Sequence, residues 1–400
     1  MKNKSIYIAV NAGSSSLKFK LYSMPEEQLI ASGMADRIGQ SLGEFFLKFN
    51  DEKYALELPI PNHDLAVELL LKSLIEKGVL PSFDVIAGVG HRIVQGGKYF
   101  SGSVLIDEQV VERIESLIPL APLHNRPNLQ GYFAFKKVLQ TIPHVAVFDT
   151  AFHQTMEPQD YLYPIPYQWS TQYDLRRYGF HGTSHQYLVQ ELAKLTSLSP
   201  KKVITCHIGS GASLAAIHNS KVVATSMGLT PLGGIMMGTR TGDIDPSILH
   251  FAALKLNESH ETIYSMLNKQ SGLLGVSGMT SDSRDLEVAH LAGNERAILA
   301  NQLFVRRIAD FIGQYHVRLH QANALVFTAG IGENSGFYRQ LILDEVKDAL
   351  GIDYDVELNL KTRGKVVKLS TPSSKVEVWV IPTNEEIMII RDTYRLAQKP

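Results

Sequence analysis

An apolar strand that breaks at one polar residue, passes through glycine and serine, and resumes as an alternating strand occurs twice in this chain, about half its length apart. The first copy, residues 6–22, reads IYIAVNAGSSSLKFKLY and breaks at Asn11; the second, residues 203–217, reads VITCHIGSGASLAAI and breaks at His207. Period-two alternation resuming at Leu17 and Leu214 marks the second arm of a hairpin. A lone Gly/Ser turn is an ordinary way to close a hairpin, but it also offers backbone N–H groups and hydroxyls to a phosphate. Duplication adds a constraint: it predicts two related α/β halves with a cleft between them able to hold a nucleotide.

The rest of each half follows one order. A helix over 64–77, with Leu65, Leu69, Leu70 and Leu74 on one stripe and Gly78 as its stop, leads to a strand over 83–89 and a glycine turn, GVGHRIVQGG. In the second half a helix over 295–318 carries Leu299, Leu303, Phe304, Ile308, Phe311, Ile312 and Tyr315 on one stripe, and a strand over 324–328 ends in a second glycine turn, AGIGEN. A strand over 145–149 lies between them, and Pro158, Pro164 and Pro166 mark the hinge after it. The expected domains are 1–150 and 151–384. After a last strand, 376–381, a terminal helix over 385–400 packs back on the first domain, because its stripe Ile387, Ile390 and Tyr394 needs cover.

Composition removes several classes of function. With 400 residues, 44% of them hydrophobic, the chain can fill two cores. A net charge of −1 leaves no electrostatic footprint for nucleic acid or an anionic membrane, so any bound anion is held by local groups. The apolar run at 6–10 is too short for a leader or a membrane span. The single cysteine, Cys206, excludes an internal disulfide, suits a reducing cytoplasm, and reads as a small buried hydrophobe between Ile204 and Ile208.

The turns match neither GxxxxGK[ST] nor the dinucleotide fingerprint, since AGIGENSG sets its glycines at 330, 332 and 336. A strand-turn-strand clamp repeated about a pseudo-twofold axis instead suggests duplicated actin-like ATPase (ribonuclease H-like) domains, as in sugar kinases. Seven segments then sharpen the reading: NAGSSSLKF from Asn11, HRIVQGG from His91, FDTAFH from Phe148, YGFHGTSH from Tyr178, MMGTRTGDIDP from Met236, FTAGIGENS from Phe327 and IPTNEE from Ile381. Together, and in this order, they resemble the acetokinase family. The resemblance implies reversible, Mg2+-dependent, direct in-line transfer of phosphate from ATP to acetate, giving acetyl phosphate and ADP, with Mn2+ able to substitute, in a cytoplasmic homodimer. Three other functions fit parts of the same pattern. A propionate or butyrate kinase differs only in the acceptor pocket; a nucleotide-driven switch needs a partner-binding module, whereas this chain ends one helix after its last strand; a serine hydrolase lacks GxSxG.

Phosphoryl transfer asks mainly for positioning and charge stabilisation. Arg92 and Arg240 suit this, since a guanidinium offers planar, bidentate donors to carboxylate and phosphoryl oxygens; a surface salt bridge is the plain alternative. His181 stands ahead of a helix whose start reads as a capping box, Thr183 with Gln186, a setting that suits an anion. The resemblance implies that it donates to the transferring group. His181 and His185 have the spacing of a zinc pair but no third ligand. His124 and His207 resemble two further family histidines near the phosphates, with core packing as the alternative. Asp149 ends a strand, where open α/β sheets present ligand groups. A carboxylate acceptor has no proton to give at pH 7, so Asp149 orders Mg2+ or fixes Arg92 rather than acting as a base. Asp245 before Pro246 reads as a helix cap.

By resemblance, Asn11 and Glu385 hold the metal, although Glu385 also suits a helix first turn. Lys18 reaches ATP, or is simply solvated. His207, Ile208, Gly209, Ser210 and Gly211 lie under the phosphates, and Asp282, Ser283, Arg284 and Gly330, Ile331, Gly332, Glu333, Asn334 surround the adenosine. Val94, Leu123, Phe180 and Pro231, with His124 nearby, form the acceptor pocket; core packing explains each equally well. A methylene is worth only about 1–3 kcal/mol in such a pocket, so propionate is expected to be used too. Four residues depart from the family pattern: Ser210 for asparagine, Gln95 for histidine, Arg126 for proline and Gly233 for glutamate. They are expected to alter acceptor affinity or donor choice without removing the transfer machinery.

Overall fold

The computed structural model describes residues 5–198 and 201–398. Residues 1–4, part of the segment read as lacking a leader, and the last two residues of the 385–400 helix lie outside the described residues. The chain divides into two packed units, Met1–Ala151 with Asn384–Pro400, and Phe152–Thr383.

The first unit is built on strands β1 (Ser5–Ala12), β2 (Ser16–Met24), β3 (Gln28–Asp36), β4 (Gly43–Phe49), β5 (Glu52–Leu58), β6 (Ile86–Ile93), β7 (Val104–Leu105) and β8 (His144–Phe148). Their order in the sheet is β5-β4-β3-β2-β1-β6-β8-β7. Strands β1 to β5 form an antiparallel meander, β6 and β8 run parallel to β1, and β7 closes the edge antiparallel. The second unit uses β9 (Lys202–Ile208), β10 (Ala212–His218), β11 (Lys221–Thr225), β12 (Ala324–Thr328), β13 (Val367–Lys368) and β14 (Glu377–Val380), in the order β11-β10-β9-β12-β14-β13. Directions repeat as well. Each strand of the second sheet therefore has a counterpart in the first, with β4 and β5 added at one edge.

In the first unit, Ile8, Val10, Leu17, Phe19 and Phe45 pack with Leu70 and Leu74 of the helix His63–Glu76 and Phe135 of the helix Asn125–Val138. Because strand neighbours alternate, Tyr7 faces the other way, where its ring meets Tyr394 of the terminal helix Glu385–Ala397 edge-on at 5.5 Å. That helix lies so close to β6 that a Cβ on Gly90 would sit 2.2 Å from Thr393 Oγ1 and 2.4 Å from Ile389 Cγ2. The expected strand over 83–89 is corrected by this contact. Residues Phe83–Val85 form a 3-10 turn, and the strand runs Ile86–Ile93, through the glycines read as a turn. Gly88 and Gly90 are there for helix approach.

The second unit holds the helix Gly182–Leu195 against β9, with Leu188 and Leu192 packed on Val203, Ala215 and Val326. The helix Glu295–Arg318 runs as expected, capped by Asn294, but Leu299 is exposed and Ala297, Ala300, Asn301 and Val305 share the buried stripe. The second glycine turn, AGIGEN, is also corrected: it forms a short helix, Ala329–Asn334.

Candidate active site

In the first unit the ends of three adjacent parallel strands bring Asn11 (β1), Arg92 (β6) and Asp149 (just past β8) together. Arg92 Nε donates to Asp149 Oδ1 and Oδ2 at 2.9 and 3.1 Å, Nη2 donates to Oδ2 at 2.5 Å, and Nη1 reaches Asn11 Oδ1 at 3.4 Å. Such a fork on a buried carboxylate fixes the guanidinium plane. Burial opposes the charge of Arg92, but Asp149, with Glu385 and Glu386, more than restores it and holds the group above its ordinary pKa. Glu385 opens the terminal helix. Burial, helped by Asp149 and Glu386 and opposed by Arg92, pushes its carboxyl up to about 7. Lys18 stands directly opposite Asn11 in the β1/β2 ladder, hence on the same face, and Lys20 pairs with Glu386 at 2.9 Å.

Two asparagines that sequence reasoning passed over position these loops. Asn128 Oδ1 accepts from Val94 N at 3.0 Å while its Nδ2 donates to Ala12 O at 2.7 Å, tying the chain after Arg92 to the chain after Asn11. Asn125 exchanges two bonds with the backbone of Gln95, at 3.0 and 2.9 Å. Gln95 Oε1 accepts from Gly97 N, whereas its buried Nε2 has no partner. His124 precedes the helix Asn125–Val138 without capping it, Arg126 is exposed in its first turn, and Leu123 is 61% exposed, in contrast to buried Val94.

In the second unit His181 is the residue before the helix Gly182–Leu195, held at φ 56°. The expected capping box is not formed: the helix starts earlier, and Thr183 Oγ1 is buried without a partner. The cap expected at Asp245 is made: its carboxylate accepts from the N–H of Ser247, two residues on, at 2.8 Å, and Pro246 between them is already helical at φ −55° and ψ −27°. The His181 ring stacks on His207 at 4.1 Å, and a Cβ on Gly211 would lie 3.7 Å from His181 Nε2 and 3.6 Å from Arg240 Nη1. Imidazole, guanidinium and an open glycine thus converge. Arg240 donates to Pro231 O at 3.2 Å and touches Met237 Sδ; no carboxylate pairs with it among the described residues, and burial lowers its pKa. Phe180 is buried. A Cβ on Gly233 would approach Asp243 Oδ1 to 3.3 Å, so glutamate there would start against a carboxylate already engaged with Gly234 N.

A cavity of about 800 Å3 opens beside this cluster within the same unit, lined by Gly209, Ser210, Asp282, Ser283, Arg284, Gly330, Ile331 and Asn334. Gly238, from the segment MMGTRTGDIDP, lines it too, as do Glu287 and Arg363, which lie in none of the seven segments. Ile208 is instead core. Gly332 gives its carbonyl to the buried Arg339, and Glu333 Oε1 accepts from Thr328 Oγ1, Ala329 N and Thr383 N, bracing the short helix. Among the described residues no group of three or more His, Cys, Asp or Glu could close around a metal. His185 is fully buried and bonded to Thr205 and Ser213, so it does not present a zinc pair with His181.

The acetokinase family matches residues 6–391. The acetate kinase of Geobacillus kaustophilus is 50% identical over 392 residues, and that of Anoxybacillus flavithermus 49% identical over 392, each covering 98% of both chains. Among solved structures, Porphyromonas gingivalis acetate kinase superposes with a TM-score of 0.93 at 43% identity, over 98% of this chain and 100% of that one. A propionate kinase from Francisella tularensis gives 0.92 at 38%, with the same coverage. With two α/β units built to one strand order, and relatives of this identity along nearly its whole length, the chain belongs to the acetokinase family and has its two-domain actin-like ATPase fold.

Proposed function

We propose that the chain is an acetate kinase, transferring the γ-phosphoryl group of ATP to acetate to give acetyl phosphate and ADP, and the reverse, by direct in-line displacement in the cytoplasm. The observation that carries the site reading is the convergence of His181, Arg240 and Gly211 beside a nucleotide-sized cavity, with a guanidinium that no carboxylate among the described residues neutralises. Arg240 and His181 stabilise the equatorial oxygens of the group in flight, where preorganised donors act most strongly. Gly209, Ser210 and Gly211, with His207, hold the phosphates; the cavity takes the adenosine. Arg92, fixed by Asp149, grips the acceptor carboxylate, with His124, Val94, Leu123, Phe180 and Pro231 around it. Asp149 clamps Arg92 through both oxygens and takes no proton, since acetate has none to give.

Asn11 and Glu385 suit Mg2+ (or Mn2+), which takes one or two protein oxygens and completes its shell with phosphates and water. A carboxyl held at about 7 beside other acids is a group whose charge a cation would relieve. Bound there, the ion supplies charge neutralisation at the phosphates. Lys18 adds a cation on the same face.

The helix Ser247–Leu256 has no buried residue and exposes Phe251 (61%) and Leu254 (65%). This apolar face supports a homodimer through a second copy. Light scattering should give twice the chain mass, and Phe251→Glu with Leu254→Glu should give monomer; an unchanged wild-type monomer rejects it. For the reaction, hydroxylamine trapping of acyl phosphate with ATP and Mg2+ should rank acetate above propionate and butyrate by kcat/KM, with pyrophosphate as an alternative donor in the same panel. No adduct from any acid would overturn the kinase reading, and propionate ranked first would make it a propionate kinase.

A further inference from the structure

His181 is not the end of its hydrogen-bond system. Ser213 Oγ lies 2.9 Å from His181 Nδ1 and 2.8 Å from His185 Nε2, and His185 Nδ1 lies 2.7 Å from Thr205 Oγ1. Thr205, His185 and Ser213 are all fully buried. We propose that these three residues form a one-way relay that holds His181 as the neutral tautomer with its proton on Nε2, so that it presents an N–H donor toward Gly211 and Arg240.

The direction follows from proton counting. The Thr205 hydroxyl has one proton and two acceptors in reach: His185 Nδ1 at 2.7 Å and Ala215 O at 3.4 Å. The second exceeds the ordinary O–H···O range, so a hydroxyl accepting from His185 would be left as a buried donor without a good partner. Thr205 therefore donates to His185 Nδ1. A neutral imidazole carries its proton on the other nitrogen, so His185 Nε2–H donates to Ser213 Oγ. Ser213 must then send its own proton to His181 Nδ1, which leaves His181 protonated on Nε2.

Neutrality is supported from each side. Burial, with His153 and His207 nearby, holds His185 well below the usual imidazole range. The stacked His207 ring and Arg240 both face His181, and a second cation there would be repelled. His153 Nε2 donates to Phe180 O at 2.9 Å and anchors the backbone just before His181. A neutral donor keeps its hydrogen bond to a phosphoryl oxygen across neutral pH, where an imidazolium would titrate. Thr205, His185 and Ser213 are thus positioning residues that act through His181. The inference rests on the proposed role of His181, but the tautomer can be read without it.

The test is a two-bond 1H–15N correlation spectrum of 15N-histidine-labelled, ligand-free protein at pH 7.5, with the His181 signals assigned by their loss in His181→Gln. The expected spectrum has a pyrrole-type Nε2 and a pyridine-type Nδ1. A proton on Nδ1, or an imidazolium, overturns the relay, and so does a tautomer unchanged in Ser213→Ala. In turnover, Ser213→Ala and His185→Leu should lower kcat about 10- to 100-fold with KM for ATP and acetate within about twofold. His185→Gln, whose amide N–H reaches the Nε2 position, should recover most of that loss; equal losses for Gln and Leu count against the relay. If Ser213→Ala does not fold, the wild-type spectrum decides alone. Should the tautomer hold while His181→Gln turns over normally, the phosphoryl-donor role fails and the relay stands.

Discussion

The same strand ends carry different chemistry in the two units. In the first, the ends of β1, β6 and β8 present Asn11, Arg92 and Asp149, a charged cluster whose members neutralise one another. In the second, the counterparts β9, β12 and β14 lead to His207, to the short helix Ala329–Asn334, and to Thr383, which meet through Ser184 and the Glu333 carboxylate. Glu333 is spent on backbone amides there, so the charge beside the imidazoles, hydroxyls and Gly211 is the guanidinium of Arg240, which no carboxylate pairs with among the described residues. The first unit thus presents a clamped, self-neutralising cluster, and the second a guanidinium without a carboxylate partner among the described residues, set among neutral donors. Phosphoryl transfer uses both kinds of group: clamped charge for an acceptor and a metal, and a cation with oriented neutral donors for the charge spread over the transferring group.

The comparison is broken first at its charges. Arg92→Ala and Arg240→Ala should each lower kcat by about 10^3-fold or more with unchanged circular dichroism. Near-normal turnover in either removes that guanidinium from the reaction. Asp149→Ala frees Arg92 without deleting it and should cost about 10^2-fold, part of it recovered in Asp149→Asn, which can still accept from Nε; equal losses in both would mean that Asp149 does more than clamp.

A smaller effect separates the units by pH. In the first unit His91 Nε2 and His144 Nδ1 are 3.0 Å apart and buried, and His144 Nε2 donates to Leu139 O. Burial holds His91 well below the imidazole range, and burial lowers His144 to about 4. A depressed native pKa means stability that is fully present above the unfolded value of about 6.5 and is lost as pH falls toward 4. Between pH 8 and pH 5 His144 alone should cost roughly 2 kcal/mol in urea unfolding. His144→Gln should flatten that slope; an unchanged slope assigns the acid sensitivity elsewhere.

Gly90→Ala probes the scaffold itself. The added methyl would meet Thr393 and Ile389 of the terminal helix, and overpacking of this kind costs about 1–3 kcal/mol. Thermal unfolding should shift down, whereas Gly330→Ala, where a Cβ meets nothing within 4 Å, should be nearly neutral in stability.

The same glycines show what the sequence made legible and what it hid. The hairpins at 6–22 and 203–217 were readable because alternation and turn chemistry are local, and the helix Glu295–Arg318 because its stripe is long. Gly88 and Gly90 were misread as a turn because their cause is a helix some 300 residues away in sequence. Arg92, His181 and Arg240 stood out by residue type within dense motifs. Thr205 and Ser213 did not: on a strand they look like any small polar residue, and only the pairing of β9 with β10 sets them around His185. Asn125 and Asn128 were passed over because their partners, the backbones of Val94, Gln95 and Ala12, are 30 or more residues away in sequence. Glu287 reaches the cavity from a helix interior and Arg363 from beside Gly364, neither within a segment that the resemblance rests on.

The proposal that Arg92 and Arg240 serve one transition state is tested most directly by a double-mutant cycle of Arg92→Ala and Arg240→Ala, read as kcat for acyl hydroxamate formation. Groups that stabilise the same transition state act as a unit, so the double variant should lose clearly less than the product of the two single losses. Losses that multiply fully would contradict it.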